Sequence, residues 1–223
     1  MKNPFWRYKG FWPPERKRSM YLGIVLLVLA IIVQFTLGPF GSRHAMTAAP
    51  AGDIFLDNLP VVNLTGVIVF WTLALWVLAW CLLVTRPQYL IFGTKAIAVY
   101  IMCRAFFVSL THIGPYPINF SPSPENIGFH FYQLWTYQGN FFFSGHTAFP
   151  FLMALIFWDE KIWRRFFLFL SFFFGLTVLL AHVHYSIDVF AAPFITYATF
   201  VATARMFHDD YKLLPGERPG LPA

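Results

Sequence analysis

Residues 64–84 read LTGVIVFWTLALWVLAWCLLV. No position in this run carries a charge, and its length matches the roughly 20 apolar residues a helix needs to cross a hydrocarbon core about 30 Å thick. A surface helix of a soluble protein would show a polar face, and this one has none. Working outward, similar stretches recur on both sides: Tyr21–Leu37, Ala96–Leu110, Phe141–Trp158, Phe166–Ala181 and Ile187–Ala204. Together they predict an all-α polytopic membrane protein of six transmembrane helices, since an open sheet edge leaves backbone groups unsatisfied in lipid. The composition agrees: 58% hydrophobic and only 12% charged, which excludes an ordinary soluble domain. The first run has no small-residue cleavage site behind it and is read as a retained helix rather than a signal peptide. The chain divides into a basic cytoplasmic segment, 1–20, a six-helix membrane domain, 21–208, and a cytoplasmic tail, 209–223.

The formal charge of +6 raises the possibility of nucleic acid, but its distribution argues for topology. Lys2, Arg7, Lys9, Arg16, Lys17 and Arg18 precede the first run; Arg86 and Lys95 fall in the second loop; Lys161, Arg164 and Arg165 in the fourth; Arg205, Lys212 and Arg218 at the end. In a six-helix arrangement all of these share one side. Only Arg43 lies on the other, with Arg104 inside a span. By the positive-inside rule that side, with both termini, is cytoplasmic. Anionic headgroups are the expected partners of these charges. Cys81 and Cys103 fall within spans and form no disulfide framework.

The two long loops on the opposite side are proline-rich: AAPAGDIFLDNLP, 48–60, and the stretch Thr111–Asn140, where Pro115, Pro117, Pro122 and Pro124 disfavour helix. A loop of that length is long enough to serve as a lid or a lipid-facing surface. Phe129, Tyr132, Trp135 and Tyr137 within it are read first as interfacial anchors, with a cation cage for choline or ethanolamine as the alternative. Glu125 is its only carboxylate; solvation is the plain reading of it, a supporting role in catalysis the alternative.

Polar residues at membrane depth are costly and face a bundle interior or an aqueous cavity. Here Arg104, His146, His182, His184 and Asp188 all approach the same non-cytoplasmic side from three separate segments. His184 and Asp188 are four apart and share a helical face, so the carboxylate can hold the imidazole in one tautomer and stabilise its charged form. That makes His184 a candidate nucleophile or base. His146 can supply a proton to a leaving oxygen. Ser144 and the Gly145 amide, near a helix N-terminus, can donate to a phosphoryl oxygen, and Arg104 can neutralise phosphate charge, although taken alone it would read as a snorkelling cation. Two histidines, a carboxylate and a cation suit phosphoryl transfer without a metal.

GNFFFSGHT, 139–147, and HVHYSIDV, 182–189, resemble the two catalytic signatures of the sphingomyelin synthase family, a branch of the type 2 phosphatidic acid phosphatase superfamily. CRAFFVSLTHIGPYP, 103–117, is similar to that family's third-helix segment, and AGDIFLDNLP, 51–60, more weakly to its first-loop motif. The resemblance spans roughly residues 50–208. It implies a six-helix bundle of the type 2 phosphatase kind, with a His146, His184 and Asp188 triad facing the lumen or periplasm. It also implies transfer of a phosphorylated headgroup from a glycerophospholipid donor to ceramide or another lipid alcohol, through a phosphohistidine. No metal or other cofactor is implied. His184 is assigned as nucleophile and His146 as proton donor, with the reverse assignment left open. His182, Tyr185, Asn140 and Glu125 are expected to support the histidines.

The chain departs from the family pattern at Asn140, where aspartate is usual, and at Gln138, where cysteine is frequent. The arginine that precedes the last motif in phosphatases of the superfamily is missing, with Thr177 and Val178 in that region, which speaks against a plain phosphatase. A compact chain without the extra N-terminal domain of some animal relatives suits a bacterial inner-membrane protein. If water replaces the lipid alcohol, the same residues make a phospholipase C or a lipid phosphatase. A lipid-handling protein without activity is the non-enzymatic rival, and the intact His146, His184 and Asp188 set weighs against it.

Overall fold

The computed structural model describes residues 10–120, 132, 142–216 and 218, and every regular element among them is helical. The helices are α1 (Pro14–Thr47), α2 (Thr65–Val84), α3 (Pro87–Leu110), α4 (Gly145–Ile156), α5 (Lys161–Leu180), α6 (Ser186–Met206) and α7 (His208–Tyr211). Five of them, α1, α2, α3, α5 and α6, are long and apolar enough to cross a membrane, and α4 is a shorter apolar helix. The fold is an all-helical polytopic membrane bundle.

The fourth predicted span is corrected in this picture. Phe141–Trp158 supplies a helix of only 12 residues, about 18 Å long, and falls short of a hydrocarbon core. Its start is set by Ser144, whose Oγ accepts a long bond from the Thr147 amide, 3.5 Å. Non-helical backbone is tolerated at membrane depth where protein covers it. Here α5 and α6 lie against α4, and almost every residue of α4 is buried.

α1 begins where Pro14 takes the first helical position and runs for 34 residues, about 51 Å, well beyond the predicted Tyr21–Leu37. Its outward face carries Tyr21, Val25, Val28, Leu29 and Ile32, all exposed, as lipid contact requires. Its inward face is small: Gly23, Ala30, Gly38, Gly41 and Ala45 are buried. This lets α1 lie close along α3, as small residues do in membrane helix pairs. At Gly41 a Cβ would come within 2.8 Å of the Val108 carbonyl oxygen.

The third span also starts earlier than its hydropathy suggests. α3 begins at Pro87, so Lys95 lies inside a helix rather than in a loop, and it is 1% exposed. Its ammonium pairs with Asp210 and donates to Ser19 Oγ, 2.6 Å, while the Ser19 hydroxyl donates to Asp210. The start of α1 and α7 are thereby tied to α3. Nearby, Arg218 donates to the carbonyls of Leu155, 3.1 Å, and Ile156, 2.8 Å, satisfying orphan acceptors at the end of α4. The chain after α6 thus docks on the bundle as far as it is described.

Truncating one member of a buried pair leaves the other charge uncompensated, at about 3–5 kcal/mol. Lys95→Met is expected to lower stability by that amount, and Lys95→Met combined with Asp210→Leu to recover most of it. Thermal unfolding in detergent reads the difference; equal melting of the single and double variants would contradict this account of the cluster.

Candidate active site

α5 ends at Leu180, and residues 181–185 turn the chain into α6. His182 makes the turn possible by adopting φ 56°, a left-handed conformation uncommon for a side-chain-bearing residue. α6 then opens with a cap from its own first turn: the Tyr185 amide donates to Asp188 Oδ2, 2.9 Å. The same Oδ2 lies 3.3 Å from Nδ1 of His184. One carboxylate oxygen therefore fixes both the helix start and the imidazole. A proton on Nδ1, donated to Asp188, leaves Nε2 as the basic nitrogen. His184 is 5% exposed and Asp188 fully buried.

The second histidine arrives from α4. The Ser144 amide donates to the Asp188 carbonyl, 3.0 Å, which couples the start of α4 to the start of α6. His146, in the first turn, then faces His184 with ring centroids 5.7 Å apart and planes at 68°. Behind it, Ser171 of α5 donates to the Thr147 carbonyl, 2.7 Å. Arg104 reaches this point from α3, where its Nε donates to the Phe143 carbonyl, 3.1 Å. Gly145 faces it closely, since a Cβ there would lie 3.1 Å from Nε. His146, His184, Asp188, Arg104, Ser144 and Gly145 are thus brought together at one end of the bundle.

Three further residues complete the site, and composition gave little sign of two of them. The Tyr132 hydroxyl lies 2.8 Å from His146 Nε2, so this aromatic is buried on a histidine at the edge of a cavity. Tyr185 O–H donates to the Gly114 carbonyl, 2.7 Å, and accepts from the Ala51 amide, 3.2 Å, stapling both outer loops to the start of α6. Asp53, from the weakly matching first-loop motif, accepts from the Ser186 amide at 2.6 Å and from Phe55 and Leu56 at 2.9 and 3.2 Å. Burial pushes its carboxyl up, but these hydrogen bonds outweigh burial and hold it below the usual carboxylate range.

His182 does not join the network. It is buried with its ring edge against Tyr116, centroids 5.0 Å apart, and neither ring nitrogen has a hydrogen-bond partner among the described residues. Glu125, Asn140 and Gln138, and with them Phe129, Trp135 and Tyr137, lie outside the described residues. Among the described residues no group of three or more His, Cys, Asp or Glu stands ready to hold a metal.

His146, Arg104, Tyr132 and Gly145 form the head of a cavity of about 560 Å³ that continues between α1, α2 and α3. It follows α2 from Thr72 to Cys81, about 14 Å, and its walls there are Leu73, Trp76, Val77 and Trp80, with Leu27 and Ile31 opposite. A charged and hydrogen-bonding head on an apolar slot has the polarity of a lipid with a phosphate.

The fold and site define a helical membrane bundle with a carboxylate-oriented histidine facing a second histidine. Residues 139–205, which carry both histidine motifs, match the family model described as PAP2 superfamily C-terminal. This match supports the type 2 phosphatidic acid phosphatase superfamily, whose members are phosphatases and phosphotransferases. No curated protein and no solved structure matches the chain.

Proposed function

We propose that the protein is a membrane lipid phosphotransferase of the sphingomyelin synthase type. It moves a phosphorylated headgroup from a glycerophospholipid to ceramide or another lipid alcohol. The observation that carries this reading is a cavity with His146 and Arg104 at its head, the His184–Asp188 pair beside it and a mainly apolar slot below. In the first step His184 Nε2 attacks phosphorus, forming the P–N bond as the P–O bond to diacylglycerol breaks. His146, protonated, gives its proton to the departing oxygen. Nε2–H of that imidazolium donates to the Tyr132 oxygen, which leaves Nδ1–H for the substrate. In the second step the acceptor hydroxyl gives its proton to His146 and attacks phosphorus, and the P–N bond breaks. Arg104, with the Gly145 amide and Ser144, stabilises the charge on the phosphoryl oxygens in both steps. The distribution of Lys and Arg supports cytoplasmic termini and a periplasmic site in a bacterial inner membrane.

Product analysis by mass spectrometry, with mixed phospholipids and with or without ceramide, tests this. A new headgroup-bearing lipid that requires the acceptor is expected; diacylglycerol released equally without acceptor would instead make the protein a phospholipase C or phosphatase. Tyr132→Phe removes the partner of His146 Nε2 and is expected to lower kcat about 10-fold with little change in KM. Unaltered kcat would remove Tyr132 from the mechanism.

A further inference from the structure

Among the polar residues of the cavity that the chemistry above does not use are an amide and a hydroxyl from α1 and α2. Gln34 of α1 and Thr72 of α2 both border it. Gln34 is 6% exposed, an unusual burial for an amide on a membrane helix. Thr72 Oγ1 is buried with no hydrogen-bond partner among the described residues. A threonine within a helix commonly returns its hydroxyl to the carbonyl four residues back, and Thr36, Thr94, Thr177, Thr199 and Thr203 all do so here. Thr72 does not. Thr196 Oγ1 is likewise unpaired, but Thr196 does not border the cavity.

Both residues stand at the height of Arg104. α1 and α3 run parallel, with Gly23 against Thr94 and Lys95 and Gly41 against Val108; proportional spacing between those contacts sets Gln34 level with Cys103 and Arg104. α2 and α3 run antiparallel, with Leu83 against Gly93. Equal steps from that contact along the two helices reach Thr72 and Arg104. Below this level the lining is mainly apolar, with Leu73, Trp76, Val77 and Trp80 on α2 and Leu27 and Ile31 on α1. In a phospholipid or a phosphorylated N-acyl lipid, the group between the phosphate and the chains is the linkage region, with its acyl carbonyl.

We propose that Gln34 and Thr72 form a subsite that donates hydrogen bonds to the acyl carbonyl of the bound lipid, an ester in a glycerolipid and an amide in an N-acyl lipid. The proposal rests on the lipid phosphotransferase reading for the position of the phosphate. A buried site built to hydrogen-bond one group rejects an analogue that lacks it, because its own polar atoms are left unpaired.

The test is competitive binding to the purified full-length protein in detergent, read by native mass spectrometry. The probes are dipalmitoyl phosphatidic acid and its dihexadecyl ether analogue, which lacks the carbonyls, with ceramide phosphate in a separate arm. Wild type is expected to prefer the ester over the ether about 10-fold. Thr72→Val and Gln34→Leu each reduce that preference and together abolish it, with ether binding and thermal stability unchanged. Loss of ceramide phosphate binding in the same variants extends the subsite to amides; unchanged binding confines it to esters. Equal binding of ester and ether by wild type, or an unchanged preference in the double variant, overturns the proposal. Turnover separates it from the transferase reading. Ester preference without any turnover keeps the subsite and removes the transferase, whereas headgroup transfer without ester preference does the reverse.

Discussion

His184→Ala is expected to lower kcat for headgroup transfer by at least about 10,000-fold, because loss of a nucleophile removes the covalent route altogether. The imidazole is packed at the turn into α6 and bonded to Asp188 through Nδ1, while the Asp188–Tyr185 cap that starts the helix stays intact without it. The variant should therefore fold and insert. An activated donor with a nitrophenolate leaving group would not rescue it, since the missing step is attack and not departure. Turnover of the alanine variant within 10-fold of wild type would exclude His184 as nucleophile.

His146→Ala is expected to behave differently. Loss of a positioned general acid costs about 100- to 10,000-fold, and the loss should depend on the leaving group. With a natural diacylglycerol leaving group the full effect appears. With nitrophenolate, which departs without a proton, first-step release should return to within about 10-fold of wild type. The two alanine variants measured on both donors thus assign the histidines. If the roles are exchanged, rescue by the activated donor will appear in His184→Ala and not in His146→Ala.

How far the sequence could reach is visible in particular elements. The α2 segment was legible almost to the residue, 64–84 against Thr65–Val84, because an uncharged run has few other homes. Hydropathy overstates the length of α4 because it registers where a segment is apolar but not whether its first residues are helical; Phe142 and Phe143 are apolar yet irregular. The charge of Lys95 suggests water, and so a loop, although the residue is buried in α3. Its partners, Ser19 and Asp210, are distant in sequence, and no local pattern announces them.

The same contrast holds at the site. His184 and Asp188 sit four apart in the sequence and are joined by one hydrogen bond, so local spacing was sufficient. The approach of His146 and Arg104 followed from topology, because each lies near the same end of its helix. Asp53 and Tyr132 act on residues far away in the chain, and Gln34 and Thr72 border a cavity that several helices build. Asp53 holds the amide of Ser186 and Tyr132 touches His146. For these only a weak loop motif, or nothing local, pointed to a role.

The proposed mechanism turns on a covalent phosphohistidine at His184. It is tested most directly by rapid acid-free quenching of the protein with a donor labelled in its phosphate, followed by peptide mass spectrometry. A headgroup-phosphoryl adduct is expected on His184; it forms before the transferred lipid, disappears when acceptor lipid is added, and is absent from His184→Ala. Headgroup transfer at full rate with no adduct at any time point, or an adduct on a residue other than His184, would contradict it.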